Sequence, residues 1–86
     1  MNITKRVFAY SELLASLSDA RIYLNRARYH YIVRGRKGWK TTYQGACRDM
    51  ALCYLMIAQH GYSTYNWRCR YFKTAERWLK RADSAR

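Results

Sequence analysis

The chain has 86 residues, and half of them are hydrophobic, which favours one folded domain and excludes a disordered polyelectrolyte. Seventeen Lys and Arg against five Asp and Glu give a net charge of +12 at pH 7. The longest apolar run, residues 50–58, is far shorter than the roughly 20 residues of a membrane span, so no membrane span is expected.

The three cysteines, Cys47, Cys53 and Cys69, are odd in number and form no CxxC pair. Residues 1–10 lack the continuous apolar stretch of a secretory signal peptide. The sequence therefore predicts a cytoplasmic protein with free, mostly buried thiols. A zinc site built from these cysteines with His30 or His60 would draw its ligands from several elements, so no metal or cofactor is expected.

The first helix is predicted over about residues 11–34, after a short turn or loose arm at 1–10. Its apolar residues recur at spacings of four and three, which is typical of one helical face. These residues are Leu13, Leu17, Ala20, Leu24, Ala27 and Tyr31. Ser11 is the expected N-cap, and Gly35 is expected to end the helix.

The second helix is predicted over about 42–60, with Thr41 and Gln44 forming a capping box and Gly61 ending it. Residues 50–58 are apolar on every face of such a helix. A helix of this kind is normally covered on several sides, so we expect it to lie between the other two.

The third helix is predicted over about 64–82, capped by Ser63 or Thr64. Its expected inner stripe consists of Phe72, Ala75, Leu79 and Ala82, with Trp78 alongside. Because no strand pattern occurs, the sequence predicts an all-α fold, a compact three-helix bundle with short loops.

The positive charge predicts a polyanionic partner, because such a partner relieves the self-repulsion of a small, highly charged domain. Arg outnumbers Lys by twelve to five, and Arg pairs bidentately with phosphate and stacks on bases. Two basic segments are the candidate nucleic-acid contacts. The third helix carries Arg70, Lys73, Arg77 and Lys80 on one face, flanked by Arg68 and Arg81. The loop after the first helix carries Arg34, Arg36, Lys37 and Lys40, with Trp39 as a stacking platform for a base or as a hydrophobic plug between helices.

A helix-turn-helix is a further candidate, because residues 58–63 offer a glycine turn and a serine cap before a basic helix. The match is incomplete. Ile57 occupies the position where that motif usually has alanine, and Arg70 falls where it buries an apolar residue.

No arrangement of catalytic residues is visible. The five carboxylates show no paired spacing, His30 and His60 are isolated, and no glycine-rich loop follows a strand. The sequence thus favours a protein that is not an enzyme.

Residues 45–51, followed by residues 60–64, resemble small, basic, uncharacterised proteins of tailed bacteriophages. The resemblance implies a protein of the host-takeover or anti-defence type that works in the host cytoplasm, and it supplies no functional residues.

The leading hypothesis is a non-enzymatic binder of RNA or DNA that contacts phosphates through the basic helix and the basic loop. The alternative is a small protein that binds and inhibits or redirects an acidic host protein. Attachment to an anionic membrane is less favoured, since Trp67, Phe72 and Trp78 are spread around the third helix.

Overall fold

A computed structural model describes residues 10–60 and 64–84 of the chain and confirms the all-α bundle. Helix α1 spans Tyr10–Arg28 and passes into a π-helical turn at Tyr29–Val33. A 3-10 turn at Lys37–Trp39 precedes α2, which spans Lys40–Gln59, and α3 spans Tyr65–Ser84. The predicted arm at residues 1–10 lies outside the described residues except for Tyr10, which belongs to α1.

The core face of α1 is the predicted one. Leu13, Leu24, Ala27 and Tyr31 are buried, and Leu17 and Ala20 are half-buried. At Gly35 the backbone takes a left-handed φ of 64°, a conformation that costs an L side chain roughly 1–2 kcal/mol. The N–H of Arg36 then returns to the carbonyl of His30 at 2.9 Å, which closes the helix end.

Helix α2 begins differently from the prediction. The capping box of Thr41 and Gln44 is wrong, because the helix starts at Lys40 from the 3-10 turn and has no side-chain cap. Gln44 instead donates a hydrogen bond to the carbonyl of Ala82 at 3.1 Å. That carbonyl is one of the unpaired acceptors in the last turn of α3, so Gln44 ties the two helices together.

Helix α2 lies between α1 and α3 and packs against both, as predicted. Its buried side is built largely from small residues, which let the neighbouring helices approach closely. This side consists of Tyr43, Ala46, Cys47, Met50, Ala51, Ile57 and Ala58. The helix is not covered all round, however. Leu52 is 56% exposed and Met56 38% exposed, because α1 and α3 leave one side of α2 open.

The predicted inner stripe of α3 is half right. Ala75 and Ala82 are buried and Trp78 is half-buried, but Phe72 and Leu79 are 42% and 41% exposed. The buried face is rotated towards Tyr71 and Trp78, because these large rings fill the space beside α2. The predicted cap by Thr64 is confirmed, since its hydroxyl accepts the N–H of Trp67 at 3.4 Å, whereas Ser63 lies outside the described residues.

Candidate nucleic-acid interface

The antiparallel order of the helices brings the C-terminal end of α1, the loop at residues 34–39 and the C-terminal end of α3 to one end of the bundle. We call this the loop end. The rings of Tyr31 and Tyr43 lie 5.5 Å apart there, beside the hydrogen bond from Gln44 to α3. At the opposite end, Tyr10 meets His60 with ring centroids 5.2 Å apart.

This arrangement concentrates positive charge in the loop-end half. The described cations of that half are Arg26, Arg28, Arg34, Arg36, Lys37, Lys40, Arg48, Arg77, Lys80 and Arg81. Arg21, Arg68, Arg70 and Lys73 lie further away. The fold thus brings only part of the two predicted basic segments together. The loop lies in the same half of the bundle as Arg77, Lys80 and Arg81, whereas the first half of α3 lies in the other half.

Cations of α1 and α3 act on tyrosines of α2 along one side of that helix, a region that we call the seam. Arg28 of α1 and Arg81 of α3 both act electrostatically on the phenol of Tyr43, which lies on α2 between them. Further along the seam, Arg21 Nη2 donates to the Tyr54 hydroxyl at 3.3 Å. The seam therefore consists of arginines from α1 and α3, with tyrosines from α2 at its base.

The base of the seam is held in a neutral state. Burial raises the pKa of Tyr43, and the neighbouring Cys47 thiol raises it further, while Arg81 and Arg28 oppose this rise. Burial likewise raises the pKa of Cys47, so its thiol stays protonated and unreactive. The positive charge of these arginines is therefore not offset by an ionised Tyr43 or Cys47.

Two arginines of α3 are held by stacking on tryptophan rings. The guanidinium of Arg81 lies 4.6 Å from the ring centroid of Trp78, and that of Arg70 lies 5.0 Å from Trp67. Such contacts reduce the rotamer entropy that these side chains lose when they bind a ligand.

The basic stripe of α3 follows the helical spacing with one correction. Arg70, Lys73, Arg77 and Lys80 are all exposed on one side of the helix, and Arg81 leans towards the seam. Arg68 does not flank this stripe, because two residues of an α-helix turn it about 200° from Arg70. It lies instead on the side that carries Phe72 and Leu79.

The loop exposes its four cations, Arg34, Arg36, Lys37 and Lys40, to solvent. Trp39, by contrast, is half-buried against the core, and one face of its ring stacks on His30 at 4.1 Å with an interplanar angle of 17°. The ring therefore holds the loop against the bundle, and its role as a base-stacking platform is limited to the edge and face that remain open.

The opposite side of the α2–α3 pair, which we call the outer face, has another character. Arg48 meets Asp83 there at 3.9 Å, the ion pair found within the described residues. Helical spacing places exposed apolar side chains and two further carboxylates on the same side of the two helices. They are Leu52, Met56, Phe72, Leu79, Asp49 and Glu76.

The helix-turn-helix prediction is wrong in its geometry. In that motif two helices meet at about 90–120°. Here α2 and α3 lie antiparallel along most of their lengths, with contacts from Tyr54–Tyr71 to Gln44–Ala82.

Arg21 and Arg28 were not among the predicted contact residues. Their signal in the sequence is their spacing, because each directly follows a core alanine, Ala20 or Ala27, and they are seven residues apart. That spacing puts both on one flank of α1, next to its buried stripe.

Comparison of the chain with protein-family models, curated proteins and solved structures finds no match. None of the described helices is long and apolar enough to cross a bilayer. Within residues 10–60 and 64–84, no three His, Cys, Asp or Glu side chains lie close enough together to hold a metal ion.

Proposed function

We propose that this protein binds nucleic acid without catalysing a reaction, and that the seam and the loop end form the contact surface. The proposal is carried by cations of two helices that act on the same side of α2: Arg21 of α1 donates a hydrogen bond to Tyr54 at 3.3 Å, and Arg28 of α1 and Arg81 of α3 both act electrostatically on Tyr43. No carboxylate of the described residues lies within 4 Å of Arg28 or Arg81. Like charges brought together without a counterion cost folding free energy, and a bound polyanion would recover it.

The chemistry of the seam suits a nucleic-acid backbone. Guanidinium groups bind phosphate through two parallel hydrogen bonds, and tyrosine rings and hydroxyls contact sugars and bases. Arg77 and Lys80 extend the positive surface outward from the seam along α3, and the loop extends it past the end of the bundle. Such contacts supply affinity with little sequence preference.

The test is the salt dependence of binding. Fluorescence anisotropy with labelled single-stranded RNA, single-stranded DNA and duplex DNA would be measured at several NaCl concentrations. Engagement of several phosphates predicts that log K falls linearly with log salt, at about 0.7–0.9 per phosphate. An absence of binding to all three probes at low salt would reject the proposal.

A second candidate function, binding to a protein partner, is supported by the outer face. Exposed apolar side chains such as Leu52 and Leu79, 56% and 41% exposed, are typical of protein interfaces when they are grouped. If the protein is an adaptor or inhibitor of a host protein, Leu52→Glu should abolish capture of one stoichiometric partner from a nuclease-treated lysate. If it binds only nucleic acid, Leu52→Glu should leave the anisotropy titration unchanged.

A further inference from the structure

One histidine in the π-helical turn after α1 is hydrogen-bonded to one arginine and lies in the electrostatic field of two more. Arg36 Nη1 lies 2.8 Å from His30 Nδ1, and Arg26, Arg34 and Arg36 all act electrostatically on the imidazole. Because arginine only donates, Nδ1 must accept this hydrogen bond, and His30 is therefore neutral with its proton on Nε2. Beside it, Arg34 Nη1 is 3.5 Å from the Tyr29 hydroxyl.

The backbone that carries this cluster is fixed by the protein itself. Gly35 reverses the chain with its positive φ, and the N–H of Arg36 bonds to the carbonyl of His30 at 2.9 Å. The N–H of Trp39 bonds to the carbonyl of Arg36 at 3.0 Å, and the Trp39 ring stacks on His30. A site with a fixed backbone loses little conformational entropy on binding a ligand.

The arginines of this cluster lie apart from the acidic residues. The sequence contains no Asp or Glu from residue 20 to residue 48, and no carboxylate of the described residues pairs with Arg26, Arg34 or Arg36. Desolvation lowers the pKa of His30, and the guanidiniums of Arg36, Arg26 and Arg34 lower it further. The protein thus keeps the imidazole uncharged among three cations instead of neutralising those cations.

We infer that Arg26, Arg34, Arg36 and His30 form a discrete site for a phosphate monoester, and specifically for the phosphorylated end of a nucleic-acid strand. The second part rests on the proposed function. A monoester carries up to two charges and three unbridged oxygens, so it can meet several guanidinium forks at once. A phosphodiester within a strand carries one charge and two free oxygens and satisfies fewer of them.

His30 couples this site to pH. Protonation makes both ring nitrogens donors, which ends the hydrogen bond from Arg36 and frees the Arg36 fork to bind the anion. The protonated imidazole adds a further donor to the same site. The groups that face His30 are Tyr29, Trp39 and the three arginines, and none of them is an acid that would compete with the bound anion.

The first experiment follows the His30 imidazole by NMR through a pH titration in chloride and in sulfate at equal ionic strength. Sulfate serves as the probe because it remains a dianion throughout the titration. Sulfate is expected to raise the pKa of His30, and Arg36→Gln is expected to remove this effect. Lys73→Gln, which removes a distant cation of α3, should keep it. An equal response to both salts in the wild type would overturn the site.

The second experiment compares oligonucleotides of one sequence with a 5′-phosphate, a 3′-phosphate or hydroxyl ends, and adds inorganic phosphate as a competitor. Either the 5′-phosphorylated or the 3′-phosphorylated oligonucleotide should bind about tenfold more tightly than the one with hydroxyl ends, and Arg36→Gln should remove that gain in affinity. Equal affinity for all three would overturn the strand-end assignment while leaving general nucleic-acid binding in place. A sulfate response of His30 without binding of any oligonucleotide would support an anion site and reject the proposed function.

Discussion

The seam and the outer face are two sides of the same helices, and they differ in whether their arginines are paired with carboxylates. In the seam, Arg28 and Arg81 both act electrostatically on Tyr43, a buried tyrosine that stays neutral. On the outer face, Arg48 is paired with Asp83, and helical spacing puts Asp49 and Glu76 on the same side of the two helices. Arg81 and Asp83 are only two residues apart, but two residues turn an α-helix by about 200°, so they lie on different sides of α3.

The excess positive charge of this protein is separated from its few carboxylates. A uniformly basic surface would serve solubility, and it would mix the few carboxylates with the cations. Here Arg48 is paired with Asp83 on the outer face, whereas no described carboxylate pairs with the arginines of the seam, so the repulsion among those arginines is not compensated within the described residues. A bound polyanion would relieve that repulsion.

The largest expected effect concerns the two sides of α2. Met50 is almost completely buried at 1% exposure, whereas Leu52 is 56% exposed. Met50→Ala should lower the free energy of unfolding by about 2–5 kcal/mol, and Leu52→Ala by less than about 0.5 kcal/mol, in urea denaturation. Equal losses of stability would mean that the outer face is covered in solution and that the two sides of α2 do not differ in burial.

The next effect concerns affinity. Replacing Arg28 and Arg81 by Gln removes two charge-assisted contacts, each worth about 1–1.5 kcal/mol, and should weaken oligonucleotide binding about 30- to 100-fold at low salt. The matched control is the double replacement of Arg48 and Arg68, which removes the same charge from the side of the outer face. A similar loss in the control would show that net charge alone sets the affinity.

A smaller effect tests the loop that joins α1 to α2. Gly35 has a φ of 64°, and a Cβ added there would have no neighbouring atom within 4 Å, so Gly35→Ala should cost about 1–2 kcal/mol through the backbone alone. Gly38 has equally open surroundings and no positive φ, so Gly38→Ala should leave stability within about 0.5 kcal/mol. Thermal denaturation of both variants would check this contrast, and an unchanged Gly35→Ala would contradict the left-handed turn.

The smallest effect is a dependence of stability on pH. The pKa of His30 is lower in the folded protein than the ordinary value of about 6.5, because burial and the arginines disfavour the imidazolium. The unfolded chain therefore binds the proton first, and the stability present above pH 6.5 declines as pH falls below that value. His30→Gln should flatten this part of the urea-denaturation profile. A profile unchanged by the substitution would place the pH dependence elsewhere.

Much of the fold could be predicted from local patterns. The spacing of the apolar residues from Leu13 to Tyr31 identifies the buried face of α1. Gly35 marks a helix end through its left-handed backbone, and Thr64 marks one through its side-chain cap. The inner face of α3 could not be predicted to the same accuracy. Phe72 and Leu79 compete there with Tyr71 and Trp78, and only the shape of the space beside α2 decides between them.

The candidate site, like the fold, could be predicted from the sequence only in part. The basic loop and the stripe of α3 are visible as charge in the sequence, but the joint effect of Arg28 and Arg81 on Tyr43 depends on the tertiary register of α1, α2 and α3. Local spacing does not determine that register. The half-buried position of Trp39 likewise follows from its stacking on His30, nine residues earlier, and from the turn between them.

The most direct test of the central claim is NMR of the arginine Nε–H groups during addition of a single-stranded oligonucleotide. If the seam binds nucleic acid, the side-chain resonances of Arg28 and Arg81 should shift together and saturate at one stoichiometry, while those of Arg48 and Arg68 should stay in place. Equal shifts at all four arginines, or larger ones at Arg48 and Arg68, would contradict the claim.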